Sequence, residues 1–147
     1  MPENNISDVK RSLGTKLKKG KTTPITIAGL TSIGGLEQSA DTIDVTTLDS
    51  AGGRREFIAG FKDSGEVSIE GYFIPGTGKG QTELYTAFES GDVDDYAIEF
   101  PADLGAKWEF KAIVTGFSTS ASLEDPLAFS ATLKVTGVPA LTLGTGA

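Results

Sequence analysis

Apolar and polar residues alternate with a period of two over most of the chain, the pattern of strands with one face in a core and one in water. In Thr42–Leu48, Ile43, Val45 and Thr47 point one way and Thr42, Asp44 and Thr46 the other. In Glu66–Ile74, Val67, Ile69 and Phe73 oppose Glu66, Ser68, Glu70 and Tyr72. Asp94–Phe100 places Tyr96, Ile98 and Phe100 in phase, and Trp108, Phe110, Ala112 and Val114 alternate in the next segment. Gly116 interrupts that segment, as a bulge does, and shifts the phase so that Phe117 packs. Leu127, Phe129, Ala131, Leu133 and Val135 form the longest alternation. Short β-branched runs at Ile25–Ala28 and Thr31–Leu36 predict further strand.

One segment has a helical period. Gly80–Glu89 carries Leu84, Tyr85, Ala87 and Phe88 on one stripe, with Glu83 and Glu89 outside it and Gly91 as a C-cap. Five or six strands with one helix between the third and fourth do not alternate as a doubly wound sheet would. The expected fold is mainly β: an antiparallel β-sandwich or barrel with one flanking α-helix.

The unpatterned stretches set the domain organisation. Residues 1–24 are polar and read as a basic, mobile N-terminal arm with one helical turn around Ser7–Leu13. Residues 25–137 form the β domain. Pro139 is expected to end regular structure, leaving 138–147 as a C-terminal tail. The connection 49–65 is too long for a tight hairpin turn. It carries Gly52, Gly53, Arg54, Arg55, Phe57, Ile58 and Phe61. Loops longer than about 12–15 residues in compact domains are usually functional or disordered. Phenylalanines favour function, since an apolar loop rimmed by charge is what an interface segment looks like. Arg54 and Arg55 fit either a partner's carboxylates or a solvated loop tip.

Charge is divided along the chain. Residues 1–24 hold six basic residues (Lys10, Arg11, Lys16, Lys18, Lys19, Lys21) and two acids. The remainder holds 7 basic and 18 acidic residues, giving the overall −7. An acidic body repels nucleic acid phosphates, and a basic arm fits the acidic surface of another copy.

Composition removes most enzyme mechanisms. The 147 residues include no cysteine and no histidine. The commonest zinc ligands, the Cys-His nucleophile and the imidazole general base are all missing. Gly20-Lys21-Thr22 would need glycine at 15 to complete a phosphate loop, where Thr15 stands; Gly78-Lys79 would need it at 73, where Phe73 stands. The carboxylate pairs Asp94-Asp95 and Glu124-Asp125 sit beside turns, where local hydrogen bonding explains them. Asp41, Asp44 and Asp49 lack a calcium loop's glycine and terminal glutamate. The sequence therefore predicts no catalytic residue, cofactor or metal. It shows no apolar run of the length a signal peptide or a membrane helix needs.

Two stretches resemble a known family. Thr42-Ile43-Asp44-Val45-Thr46-Thr47-Leu48-Asp49, a glycine-rich charged loop, and then Gly60-Phe61-Lys62-Asp63-Ser64-Gly65-Glu66-Val67-Ser68-Ile69-Glu70-Gly71 are similar to the major tail tube protein of long, non-contractile-tailed bacteriophages. The helix at 80–89 and the closing strands at Phe117–Ser120 and Phe129–Gly137 follow in that family's order. The resemblance covers residues 25–140 and rests on pattern and order. It implies a non-enzymatic virion subunit, assembled in the host bacterial cytoplasm. Six copies would close strands into a shared inner β-barrel, and rings would stack head-to-tail into a tube that conducts genomic DNA. Implied partners are other copies of the chain, tail-tip and terminator proteins, and a tape measure protein in the lumen before ejection; no membrane partner is implied. Carried onto this chain, the ring-to-ring contacts fall to Arg54, Arg55, Phe57, Ile58 and Phe61 in the loop and to Lys10, Arg11, Lys16, Lys18 and Lys19 in the arm. An acidic lumen would be lined by Asp44, Glu66, Glu70 and Glu109, offset by Lys111 and Lys134. Two alternatives remain open: the inner tube of a contractile injection system, and a monomeric β-barrel binding module.

Overall fold

The computed structural model describes residues 13–102 and 104–143. Among these, nine strands and one α-helix follow in the order β1 (Lys16–Lys19), β2 (Ile25–Thr26), β3 (Leu30–Ile33), β4 (Ser39–Asp44), β5 (Phe57–Asp63), β6 (Glu66–Tyr72), α1 (Gln81–Ser90), β7 (Asp94–Glu99), β8 (Ala106–Ser122) and β9 (Asp125–Leu143). Seven strands make one antiparallel sheet in the order β2-β1-β7-β8-β9-β6-β3, and β4 and β5 make a separate two-stranded sheet.

The chain itself forces the large sheet to roll up. Strands β2 and β3 lie at opposite edges, six inter-strand gaps apart. Laid flat, those gaps would span about 29 Å. The four peptide steps from Thr26 to Leu30 reach at most about 14 Å. The edges must therefore curl toward each other, giving a half-barrel. Its inner face collects the alternating apolar set: Leu17, Val67, Ile69, Tyr96, Ile98, Phe110, Ala112, Val114, Phe129, Ala131, Leu133 and Val135 are all buried. Helix α1 covers this core with Leu84 and Ala87, which are buried, and with Tyr85, whose ring meets Phe117 edge-on at 5.4 Å. Gly91, in the left-handed region at φ 73°, ends the helix and donates to the Ala87 carbonyl at 2.9 Å.

One buried side chain joins the backbone hydrogen bonds that hold the seam, among them the Tyr72 amide to the Gly29 carbonyl at 2.9 Å and the Ala28 amide to the Lys79 carbonyl at 2.8 Å. Gln81, at the start of α1, is fully buried. Its Nε2 donates to the carbonyls of Ala28 and Tyr72, both at 2.8 Å, and its Oε1 accepts from the Ile74 amide at 2.8 Å. It thereby ties the β2–β3 crossover to the end of β6. The crossover passes so close to Gly71 that any Cβ there would overlap the Gly29 carbonyl.

Several sequence expectations change. The long strands β6 to β9 and the helix fall where alternation places them, and the register shifts at Gly116 so that Phe117 pairs with Ala131 and packs on the core. The arm and tail differ from expectation. Residues 16–19 are strand β1, hydrogen-bonded to β7 and pinned by the buried Leu17. Strand β9 continues through Pro139 to Leu143. Beyond Lys134 its neighbour opposite β8 is no longer β6, so the missing proline N–H costs no ladder bond there. The connection 49–65 contains a strand, β5, that pairs with β4 as a hairpin. The helical turn expected around Ser7–Leu13, apart from Leu13 itself, and the end of the tail, 144–147, lie outside the described residues.

Candidate assembly surfaces

The β4–β5 hairpin stands apart from the half-barrel. Ile43 pairs with Ile58, and Asp44 with Phe57. Cross-strand partners share a face, so apolar side chains appear on both faces of the ribbon: Ile43 and Ile58 on one, Phe57 on the other, with Phe61 at the register shift between them. Phe57 is 55% exposed, Ile58 54% and Phe61 90%. A two-stranded ribbon is marginal alone. This one leaves both faces unburied by its own body.

Its tip is nonetheless ordered by polar contacts. Arg55 Nη1 donates to Asp44 Oδ2 at 2.8 Å, and the Thr46 amide to Asp44 Oδ1 at 2.9 Å. The Glu56 amide donates to Thr46 Oγ1 at 2.8 Å, and Ser50 Oγ to Glu56 Oε2 at 2.7 Å. Hydrogen bonds from the Thr46 side chain and backbone, then from Arg55, hold the Asp44 carboxyl below the usual aspartate range. At the base, Lys134 Nζ donates to Asp63 Oδ1 at 2.9 Å and Ser64 Oγ to the Gly137 carbonyl at 2.6 Å. The Lys134 contact, with the Gly65 amide, likewise lowers the Asp63 pKa.

The outer face of the half-barrel is polar. Strand pairing brings Glu66, Glu70, Glu109, Lys111 and Lys134 onto this one face, with Glu66 directly across from Lys134. Asp44 is not among them; it sits on the hairpin, engaged by Arg55. The register adds Lys16, Lys18, Asp95, Glu99 and Lys107, which alternation alone did not assign. The face thus holds five bases and five acids, and Asp63, reaching Lys134, supplies a sixth acid. Glu109 lies 3.0 Å from Lys107 and raises that lysine's pKa by hydrogen bonding and charge. Farther along, the face turns to hydroxyls, with Ser118 and Ser130 joined at 2.7 Å.

The basic cluster expected on a free arm is partly engaged within the fold. Lys18 lies 3.0 Å from Glu99 and Lys19 3.2 Å from Asp94. Lys16 sits exposed on β1, and Lys10 and Arg11 lie outside the described residues. A groove of about 770 Å³ opens at the seam between Leu13, Leu30, Ile33, Phe100, Pro101 and Leu104. No cluster of carboxylates able to hold a metal occurs among the described residues. Sequence reasoning missed Gln81 and Asp63; a buried amide and a strand-end aspartate leave no periodic trace.

The family model described as "Lambda phage tail tube protein" matches residues 18–142. A comparison with curated proteins found no match. Among solved structures, the fold is similar to that of the tail of an empty gene transfer agent particle refined with C6 symmetry, at TM-score 0.77 and 24% identity over 91% of this chain and 99% of that one. It is also similar to a chain of an extracellular contractile injection system's sheath-tube complex, at TM-score 0.72 and 18% identity over 97% of this chain and 99% of that one. The SPP1 tail tube aligns at TM-score 0.67 and 14% identity over 91% of this chain and 80% of that one.

Proposed function

The chain belongs to the lambda phage tail tube protein family and is a structural subunit of a tail tube, not an enzyme; from that premise we propose that six copies close into a ring, that rings stack head-to-tail, and that DNA passes through the lumen. The observation that carries this reading is the hairpin with two unburied apolar faces. A closed ring with open stacking gives both faces a neighbour and removes the exposed sheet edges at β2, at β3 and along β9 beyond Lys134. Six-fold symmetry of the similar gene transfer agent tail supports the ring size.

In this reading Glu66, Glu70, Glu109, Lys111 and Lys134 line the lumen, joined by Asp63 in place of Asp44. Counted over the whole outer face, six acids against five bases leave −1 per subunit. Such a wall offers no cationic surplus from which a polyanion could release counterions, so DNA slides without sticking. Arg54, Arg55, Phe57, Ile58 and Phe61 make the ring-to-ring contact, with Lys10, Arg11, Lys16, Lys18 and Lys19 bordering it. Residues 16–19 and 138–143, which the sheet takes in as β1 and the end of β9, join 25–137 in the tube domain, and the rest of the arm and tail bridges neighbouring copies. Tip and terminator proteins close the ends, a tape measure protein fills the lumen before ejection, and the product is the tail of a siphophage virion assembled in the host bacterial cytoplasm. Likeness to the sheath-tube complex keeps one second reading, an inner tube within a contractile sheath.

Negative-stain electron microscopy tests the proposal on purified protein, alone and seeded with a tail-tip complex. Hollow tubes with a six-fold end view are expected. A monomeric field in both conditions would reject it.

A further inference from the structure

We propose that the free edge of β3 in one copy pairs with the free edge of β8 in the next copy of the same ring, as an antiparallel ladder; this rests on the ring reading above and names the two strands that meet. The large sheet is stepped. Strand β7 covers β8 only as far as Ala112, and β6 covers β9 only from Ala128 to Lys134. At the level of β6 the sheet is therefore four strands wide, β8-β9-β6-β3, with β8 at one margin and β3 at the other. Among the described residues, 113–122 of β8 and Leu30–Ile33 of β3 have no ladder partner on those margins.

The chemistry of both margins suits a strand partner. Sheet edges that stay single are guarded by charge, by proline or by being very short. The β8 margin is ten residues long and holds neither a charge nor a proline, and the β3 margin holds neither as well. Pairing them therefore desolvates no ionised group. Their wet faces also match, with Ser118 and Ser120 on β8 and Ser32 on β3 all exposed. The groove of about 770 Å³ runs beside Leu30–Ile33, so that margin opens on space rather than on a strand of its own chain.

Register selects β3 over the other edges. Across the ladders Ser32 lies level with Glu70, Ser130 and Ser118, and Ile33 with Ile69, Ala131 and Phe117. The two margins thus sit at one height on opposite sides. Rotation about a ring axis along the strands keeps their direction, so β8 of the next copy arrives antiparallel to β3. A stagger of one residue per strand gives a tilt of about 36° in an eight-stranded barrel. The same stagger shifts β3 by about four positions over four strands and leaves it on the β8 margin. The free edge of β9 beyond Lys134 faces the same way as β3 but would need about nine positions over two strands. That is a tilt of about 70°, against the usual 35–45°. Strand β2 offers only Ile25 and Thr26. Four strands from each of six copies close a barrel with a backbone circumference of about 115 Å before tilt. Barrels of 16–18 strands already hold an aqueous channel, so this one leaves an open lumen.

The chain has no cysteine, so introduced thiols report the junction cleanly. Ser32→Cys is combined in turn with Ile113→Cys, Gly116→Cys, Ser118→Cys, Ser120→Cys and Ser122→Cys, and each double variant is assembled and oxidised. Within one copy three strand spacings, about 14 Å, separate the two sites, and a disulfide needs Cα atoms within about 7 Å. A bond therefore forms only between copies. The expected result is a reducible ladder in one or two neighbouring variants that ends at six chains. Tubes from all five variants without a disulfide, or a ladder running past six, would overturn the inference. As a second readout, hydrogen exchange on the unsubstituted chain should slow at least tenfold on assembly at the amides of 113–122 that point away from β9. Unchanged exchange there in intact tubes would also overturn it. If the unsubstituted chain forms no tubes even when seeded, the ring reading itself fails, and this inference with it.

Discussion

Replacing Gln81 with leucine keeps most of the side-chain volume and removes all three of its hydrogen bonds, each 2.8 Å long. The Ile74 amide and the Ala28 and Tyr72 carbonyls then lose the partner that the fully buried Gln81 side chain gave them. Each buried group left unpaired costs about 1–3 kcal/mol, and relaxation recovers part of that. A total loss of about 3–5 kcal/mol follows, a large share of the roughly 5–15 kcal/mol that holds a domain together. At about 2–4 °C per kcal/mol for a chain of this size, the melting temperature falls by roughly 10 °C. Urea unfolding of the unassembled subunit gives the free energy, and hydrogen exchange at Ile74 shows where the seam opens. Thr86→Ala, on the exposed side of the same helix, is the control and costs under about 0.5 kcal/mol. A Gln81→Leu loss below 1 kcal/mol, with Ile74 still protected, would refute the reasoning that this amide closes the half-barrel.

Other consequences are as direct. The Tyr96 hydroxyl is buried without a hydrogen-bond partner, and burial together with the Asp94 charge raises its pKa, so Tyr96→Phe should stabilise the subunit by about 1 kcal/mol, read as a higher melting temperature; a lower one would contradict the unpaired hydroxyl. Lys134 lowers the folded-state pKa of Asp63, so this contact stabilises the fold above the ordinary aspartate pKa and is lost as pH falls through the folded value. Hydrogen exchange of Phe57–Asp63 should therefore quicken in acid below about pH 4, and Asp63→Asn should flatten that dependence. Glu66→Lys with Glu70→Lys should leave tubes intact and slow DNA ejection, measured by fluorescence release; unchanged ejection would remove that face from the lumen.

The parts of the fold legible in the sequence are those buried on one face only. Strands β6 and β9 alternate cleanly because one side of each packs in the half-barrel and the other stays wet. Strand β5 escaped notice for the opposite reason: with Phe57, Ile58 and Phe61 spread over both faces and Gly60 between them, it has no period of two. Strand β1 offers a single buried residue, Leu17, among three lysines, so it reads as a charged arm although its backbone is paired on both sides. Pro139 suggested an end because proline is barred from central strands, yet β9 is an edge by that point. The candidate surfaces were half legible. Hairpin aromatics and the Glu66–Glu70 face stood out, whereas the exchange of Asp44 for Asp63 depends on a turn geometry that no spacing encodes.

The central claim is best tested by a helical cryo-EM reconstruction of the assembled protein. The account predicts six-fold rings with the Glu66–Glu70 face toward the lumen and each hairpin reaching the adjacent ring. A tube whose lumen is lined by helix α1, or whose hairpins stay within their own ring, would contradict it.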